Sequence, residues 1–234
     1  MERGFFESRT KARAAIEAGR VLCDGRPVRK SSELLPAEAE IVAEPAHPWV
    51  GRGGLKLEHA FNLWQPPVDG RIVLDVGAST GGFTQVCLAR GARRVYAVDV
   101  GRGQLHRTLS ADPRVVSLEA TDARNLDRVL IPEAPDLIVS DVSFISLTKA
   151  LPAALGLAAA DCTLIALVKP QFEVGPEHIG RSGLVREVEA HRLAKDKVCA
   201  FLEAQGWSVK ALVESPVPGG EGALEHLLLA HREP

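Results

Sequence analysis

The segment Leu74-Asp75-Val76-Gly77-Ala78-Ser79-Thr80-Gly81-Gly82-Phe83 carries an apolar, β-branched run into a helical pattern through a glycine-rich turn. Glycine lets the backbone approach a ligand closely, and the free amides opening the next helix attract negative charge. Asp99, followed by Val100, stands about 20 residues further on, where an acidic side chain can grip ribose hydroxyls. Asp122, followed by Ala123, ends the third such run and is placed to meet an adenine edge. This spacing predicts a nucleoside-type cofactor. A dinucleotide would want G-x-G-x-x-G, but Ser79 occupies the second glycine position, where pyrophosphate needs bare backbone. S-adenosylmethionine has no phosphate and relaxes that demand.

Four further charged residues stand near predicted strand ends. Lys56 lies in Arg52-Gly53-Gly54-Leu55-Lys56-Leu57, and Asp141 in Ser140-Asp141-Val142-Ser143-Phe144. Lys169 ends the fifth run in Leu167-Val168-Lys169-Pro170, and Glu225 opens the last one. In a doubly wound sheet the ends of strands four and five adjoin the ligand, so Asp141 and Lys169 should face the transferable methyl group. Each residue alone has an ordinary reading. A lysine after a strand is commonly a solvated charge, Asp141 could cap a helix, and Glu225 could be an exposed strand residue. Methylation of a base amino group would favour Asn/Asp-Pro-Pro-aromatic after the fourth strand, where Asp141-Val142-Ser143-Phe144 stands. No cysteine occupies either strand end, which argues against C5-pyrimidine chemistry.

The elements that must position these residues read as an α/β fold. The runs 72–76, 95–98, 115–118, 137–139, 164–168 and 209–213 predict buried parallel strands, and 83–90, 123–130 and 187–205 predict helices between them. This alternation predicts a Rossmann-like, mostly parallel sheet with right-handed crossovers. The final run 224–230 follows a Pro/Gly-rich loop and predicts an antiparallel last strand. Residues 1–45 read separately, as a small α+β module. Ser8 caps a helix from Arg9 to Ala18, Gly19 ends it, and Asp24-Gly25 turns a hairpin. Residues 46–53 are a linker and 54–234 the main domain.

The chain has 234 residues, 46% hydrophobic and 25% charged, with net charge −2. The charge distribution is more telling than its sum. Basic residues crowd the first 30 positions, whereas the charges from Glu33 to Glu44 are all acidic. A local basic face of this kind is an electrostatic footprint for nucleic acid. No apolar run suits a membrane span and the first residues do not resemble a signal peptide, so a cytoplasmic protein is expected. Cys23, Cys87, Cys162 and Cys199 lie far apart, without a C-x-x-C pair, suggesting neither a metal site nor disulfides.

The stretches Arg52–Leu57, Leu74–Phe83, Ser140–Ser143 and Val168–Gly175 resemble the TlyA family of ribosomal RNA 2′-O-methyltransferases, some of which carry the name haemolysin. The catalytic part is similar to the wider FtsJ-like group. The resemblance implies a Lys-Asp-Lys-Glu tetrad, matched by Lys56, Asp141, Lys169 and Glu225, with S-adenosylmethionine as cofactor, whose positive sulfur already supplies the electrophile so that no metal is required. It also implies that the first 45 residues are an S4 RNA-binding module, its basic helix being Ser8-Arg9-Thr10-Lys11-Ala12-Arg13. Ribosomal RNA or a ribosomal subunit is then the partner. Arg9, Lys11, Arg13, Arg20, Arg29, Lys30 and Arg52 are the expected phosphate contacts. Arg181 and Arg186 join them if the glycine-punctuated loop 173–186 is a mobile lid rather than a surface connection.

A ribose 2′-hydroxyl must lose its proton as it attacks a sulfonium methyl. A neutral lysine could take that proton where a neighbouring cation and burial disfavour its charged form. Lys169 is the candidate base and Lys56 the neighbouring cation, with Asp141 and Glu225 orienting them. Alternatively, Lys169 mainly steers the hydroxyl. The chain departs from the family pattern in three places. It begins where the S4 pattern is already under way, Gly51 stands where serine is usual, and Gly222-Ala223-Leu224-Glu225-His226 replaces Gly-Asn-x-Glu-aromatic. Two rival expectations are a membrane-active haemolysin and a non-catalytic RNA-binding protein.

Overall fold

Apolar runs of four to seven residues become the strands of a seven-stranded sheet in the computed structural model, which describes residues 4–234. Met1, Glu2 and Arg3, part of the basic segment read above, lie outside the described residues. The chain divides into two units, ending and beginning at Pro48 and Trp49.

The first unit contains α1 (Arg9–Glu17), β1 (Val21–Cys23), β2 (Arg26–Pro27) and β3 (Ile41–Ala43). Ser8 Oγ accepts the Lys11 amide at 3.2 Å and so caps α1. Asp24 at φ 48° and Gly25 at φ 75° form the turn between β1 and β2, as the primed hairpin geometry requires. The sheet order is β2-β1-β3, and Ala15, Val21 and Val28 form its small core.

The second unit runs α2 (Gly53–Trp64), β4 (Ile72–Val76), α3 (Gly82–Ala89), β5 (Arg94–Val98), α4 (Arg107–Ser110), β6 (Val115–Leu118), β7 (Leu137–Ser140), α5 (Leu147–Ala150), α6 (Pro152–Leu157), β8 (Cys162–Val168), α7 (Pro170–Glu173), α8 (Val188–Ala204), β9 (Ser208–Glu214) and β10 (His226–Arg232). Its sheet order is β6-β5-β4-β7-β8-β10-β9. The first five strands are parallel, and β10 is antiparallel to both β8 and β9. Alternate residues of each strand face opposite layers. Leu74, Val76, Tyr96, Val98, Ile138 and Leu164 pack with α6 and α8, while Val73, Val95, Val139 and Ile165 pack with α2 and α3.

Three expectations need correction. The predicted helix 123–130 is only a 3-10 turn at Ala123–Asn125. Asp122 and Asp127 carboxylates accept the amides of Arg124, Val129 and Leu130, offering the backbone a local alternative to helix. The run 209–213 is not a buried parallel strand. It lies in β9, an edge strand paired only with antiparallel β10 and largely half-exposed. Glu225 stands immediately before β10 rather than opening it.

Candidate active site

The carboxyl ends of β4, β7 and β8 lie side by side, as their registers show, and deliver the glycine-rich turn, Asp141 and Lys169 to one edge of the sheet. Gly77 bends the chain out of β4 at φ 88°. A Cβ there would stand 2.8 Å from the Asp141 carbonyl oxygen, so both the conformation and the close approach demand glycine. The Gly77 and Ala78 amides bond the Val98 carbonyl of β5, at 2.9 and 3.0 Å, which pins the turn to the sheet.

Two adjoining cavities open over this turn. The first, about 360 Å³, is lined by Gly77, Ser79, Asp99, Val100, Asp122 and Ala123, among others. The second, about 310 Å³, is lined by Lys56, Asp141, Lys169 and Glu225 together with Arg52, Ala78, Thr80, Gly82 and Phe83. Gly77, Ser79, Asp141 and Ser143 line both. Volumes of this size suit small ligands. The first cavity has the chemistry of a nucleoside site, with apolar Val100, Val142 and Ile145 in its lining along with the acidic Asp99 and Asp122.

The four charged residues form two short pairs. Lys56 Nζ donates to Glu225 Oε2 at 2.5 Å, and the two residues are 6% and 3% exposed. Lys169 Nζ lies 2.6 Å from Asp141 Oδ1 and donates to Ser143 Oγ at 2.8 Å. A Cβ on Gly53 would stand 3.2 Å from Asp141 Oδ2, so the start of α2 abuts that carboxylate. A helix N-terminus favours such a negative group, and Lys56 follows one turn later on the same helix. His226 lies opposite Val168 in register, so the residues preceding β10 and following β8, Glu225 and Lys169, are brought to the same edge.

Residues 49–232 match the model of the FtsJ-like methyltransferases, and residues 2–41 match that of the S4 domain. The chain belongs to the TlyA family of FtsJ-like methyltransferases. It is 42% identical over 230 residues to the 16S/23S rRNA (cytidine-2′-O)-methyltransferase TlyA of Mycobacterium tuberculosis, covering 97% of this chain and 86% of that one. It is 33% identical to the 23S rRNA (cytidine-2′-O)-methyltransferase TlyA of Campylobacter jejuni, with 94% and 92% covered. A solved Streptococcus thermophilus protein titled hemolysin superposes with TM-score 0.80 at 41% identity, covering 99% of this chain and 86% of that one.

In this FtsJ-like methyltransferase, Asp99 serves the turn directly. Its Oδ2 accepts the Ser79 amide at 2.8 Å and its Oδ1 the Gly101 amide at 2.7 Å. Asp122 is bound by Arg124, whose guanidinium and amide hold its carboxyl down at about 2. Asp75 and Gly81 line neither cavity. Asp75 is wholly buried, accepts the Thr84 hydroxyl at 2.6 Å, and is pushed up to about 7 by loss of hydration.

The basic side chains of the first unit divide. Lys11, Arg13 and Arg20 pair with Glu7, Glu17 and Glu44, whereas Arg9, Arg29 and Lys30 make no ion pair among the described residues. Arg52, Arg181 and Arg186 are exposed in the second unit, and neither of the last two lines a cavity. No helix among the described residues is long and apolar enough to cross a membrane.

Sequence reading missed Ser143, which lacks any local signal because its partner Lys169 is 26 positions away. It also missed Phe144, 92% exposed at φ 65° beside the cavities, its ring 5.3 Å from that of Phe172. A large apolar side chain three residues after the candidate site aspartate Asp141 was the available clue. His191 and His226 form a further buried contact, Nδ1 to Nε2 at 3.3 Å. His226 is pushed down to about 4, chiefly by burial.

Proposed function

We propose that the protein transfers the methyl group of S-adenosylmethionine to a ribose 2′-hydroxyl of ribosomal RNA. A cytidine of 23S rRNA is the first candidate, and 16S rRNA the second. The carrying observation is that Lys56–Glu225 and Lys169–Asp141 line one cavity that adjoins a nucleoside-sized one. The activities named for the Mycobacterium and Campylobacter relatives support the substrate class.

The cofactor supplies an electrophilic methyl group on a positively charged sulfur. The chain's own residues bind and orient. Asp99 and Asp122 border the cavity that would hold the nucleoside, and the turn from Gly77 to Gly82 its methionine end. An ammonium has three donors. Lys169 Nζ lies beside Asp141 and donates to Ser143, which leaves it donor capacity for a ribose oxygen. This favours Lys169 as the group that steers the hydroxyl into line. Lys56, held by Glu225, adds positive charge beside the hydroxyl oxygen, whose proton passes to solvent as the methyl group arrives. Alignment of oxygen, methyl and sulfur supplies most of the acceleration. Phe144 offers an exposed ring face to a base beside the target, as aromatic side chains do for unstacked RNA bases. In the first unit, Arg9, Arg29 and Lys30 meet phosphates, with Lys11, Arg13 and Arg20 able to exchange carboxylate for phosphate. A ribosomal substrate implies a cytoplasmic site of action.

The deciding experiment incubates purified protein and methyl-labelled S-adenosylmethionine with 50S and 30S subunits lacking the modification, then maps 2′-O-methyl nucleotides by mass spectrometry. One labelled cytidine in 23S rRNA is expected, and label in 16S rRNA would widen the range. Label on a base, or none on either subunit, would sink the reading.

A further inference from the structure

Directly after β6, Glu119 turns its carboxylate onto three consecutive backbone amides of the segment that follows Asp99. Oε2 accepts Gly103 N–H at 2.9 Å, and Oε1 accepts Gln104 N–H at 2.6 Å and Leu105 N–H at 3.0 Å. These amides hold the carboxyl below its usual range, those of Leu105 and Gln104 most strongly. Ala120 is held in the left-handed region at φ 54°, uncommon for a residue with a side chain, and its amide bonds the Gly101 carbonyl at 2.8 Å.

Segment 101–106 is thereby tied down along its length and crosses the glycine-rich turn. The Gly101 amide bonds Asp99, and the His106 amide bonds the Thr80 carbonyl at 3.1 Å. Ser79 Oγ donates to Gln104 Oε1 at 3.1 Å, and Gln104 lines the first cavity beside Asp99 and Asp122. Leu105 and Leu109 close on Gly81, where a Cβ would stand 2.8 Å and 2.3 Å from their respective Cδ1 atoms. The strap has no regular secondary structure between Gly101 and Leu105, so its shape depends on side-chain acceptors, and Glu119 supplies the largest share of them.

We propose that Glu119 is a positioning residue for the nucleoside cofactor, holding the strap 103–105 so that Gln104 and Leu105 fix the shape of the glycine-rich turn. Glu119 lines neither cavity and acts only through this backbone. The inference rests on the reading that the first cavity takes S-adenosylmethionine.

Calorimetry of the full chain with S-adenosylmethionine and with S-adenosylhomocysteine tests it. Glu119→Ala removes all three acceptor contacts and should raise both Kd values about tenfold, the equivalent of roughly one to two net hydrogen bonds. Glu119→Gln keeps a carbonyl oxygen for Gln104 and Leu105 but turns an NH₂ towards Gly103, so its loss should be smaller, about two- to threefold. Hydrogen exchange of amides 103–105 should accelerate in the same order. In methyl transfer, the loss should fall on the KM for cofactor rather than on kcat. A Glu119→Ala protein with wild-type Kd, or with unchanged protection of those amides, would overturn the proposal. Failure of the wild-type protein to bind either nucleoside would instead overturn the cofactor reading, and this inference with it. If Glu119→Ala does not fold, the Glu119→Gln shift decides by the same criterion.

Discussion

In residues 4–48 those cations that are paired meet their carboxylates in water. Lys11 with Glu7, Arg13 with Glu17 and Arg20 with Glu44 are all surface pairs. In the second unit Lys56 with Glu225 is buried and Lys169 with Asp141 nearly so. The same two charge types therefore do different work. Exposed pairs gain little Coulomb energy in high dielectric and are screened by salt, so their cations exchange readily onto phosphate. Buried pairs hold one geometry, because breaking either leaves an uncompensated charge out of water. The first arrangement suits a surface that must dock on a polyanion. The second suits a centre that must hold a hydroxyl in line.

The contrast breaks first at Lys169. Lys169→Ala should reduce methyl transfer by about 10²–10⁴-fold, in the range for a group that handles the reacting proton or oxygen. Calorimetry should show nearly unchanged affinity for S-adenosylmethionine. If activity survives, the cavity is not where the hydroxyl sits. Next is Glu225→Ala, which strands Lys56 and should cost about 3–5 kcal/mol in denaturant unfolding. Glu225→Gln should cost less, since it keeps an acceptor. Equal losses would mean that Lys56 is not held by charge.

On the other side of the comparison, alanine at Arg9, Arg29 or Lys30 should leave unfolding unaltered while weakening binding to rRNA. The slope of log K against log salt should fall by about one per residue removed. A weakened fold with an unchanged slope would erase the distinction between the units. The last effect concerns pH. His226 is neutral in the fold down to about 4 but takes a proton at about 6.5 when unfolded. The unfolded state therefore binds one more proton across that window, and stability falls as pH drops from 6.5 to 4. His226→Phe should remove this part of the acid sensitivity, measured as the difference between the two urea midpoints at each pH. Asp75 contributes with the opposite sign, since it is protonated in the fold up to about 7 and ionised above about 3.8 when unfolded. Asp75→Asn should therefore make acid sensitivity steeper in the same assay.

Much of this molecule is set by short-range physics that a sequence displays. Ser8 and Gly19 bound α1, Asp24-Gly25 turns its hairpin, and β-branched runs mark β4 to β8. The glycine-rich turn also stands out, because sterics at Gly77 and Gly81 forbid most other residues. The types of the four charged residues were legible too. That the carboxylates orient the lysines was legible as well, but which carboxylate meets which lysine was not. Lys56 and Glu225 are 169 positions apart, and only insertion of β10 between β8 and β9 brings Glu225 to the site. Ser143 beneath Lys169, the strap held by Glu119, and the edge position of β9 are likewise products of tertiary register. The physical reason is common to all of them. Propensity, capping and turn sterics act within a few residues and leave local patterns. Hydrogen bonds and ion pairs between distant segments exist only once the sheet has chosen its order.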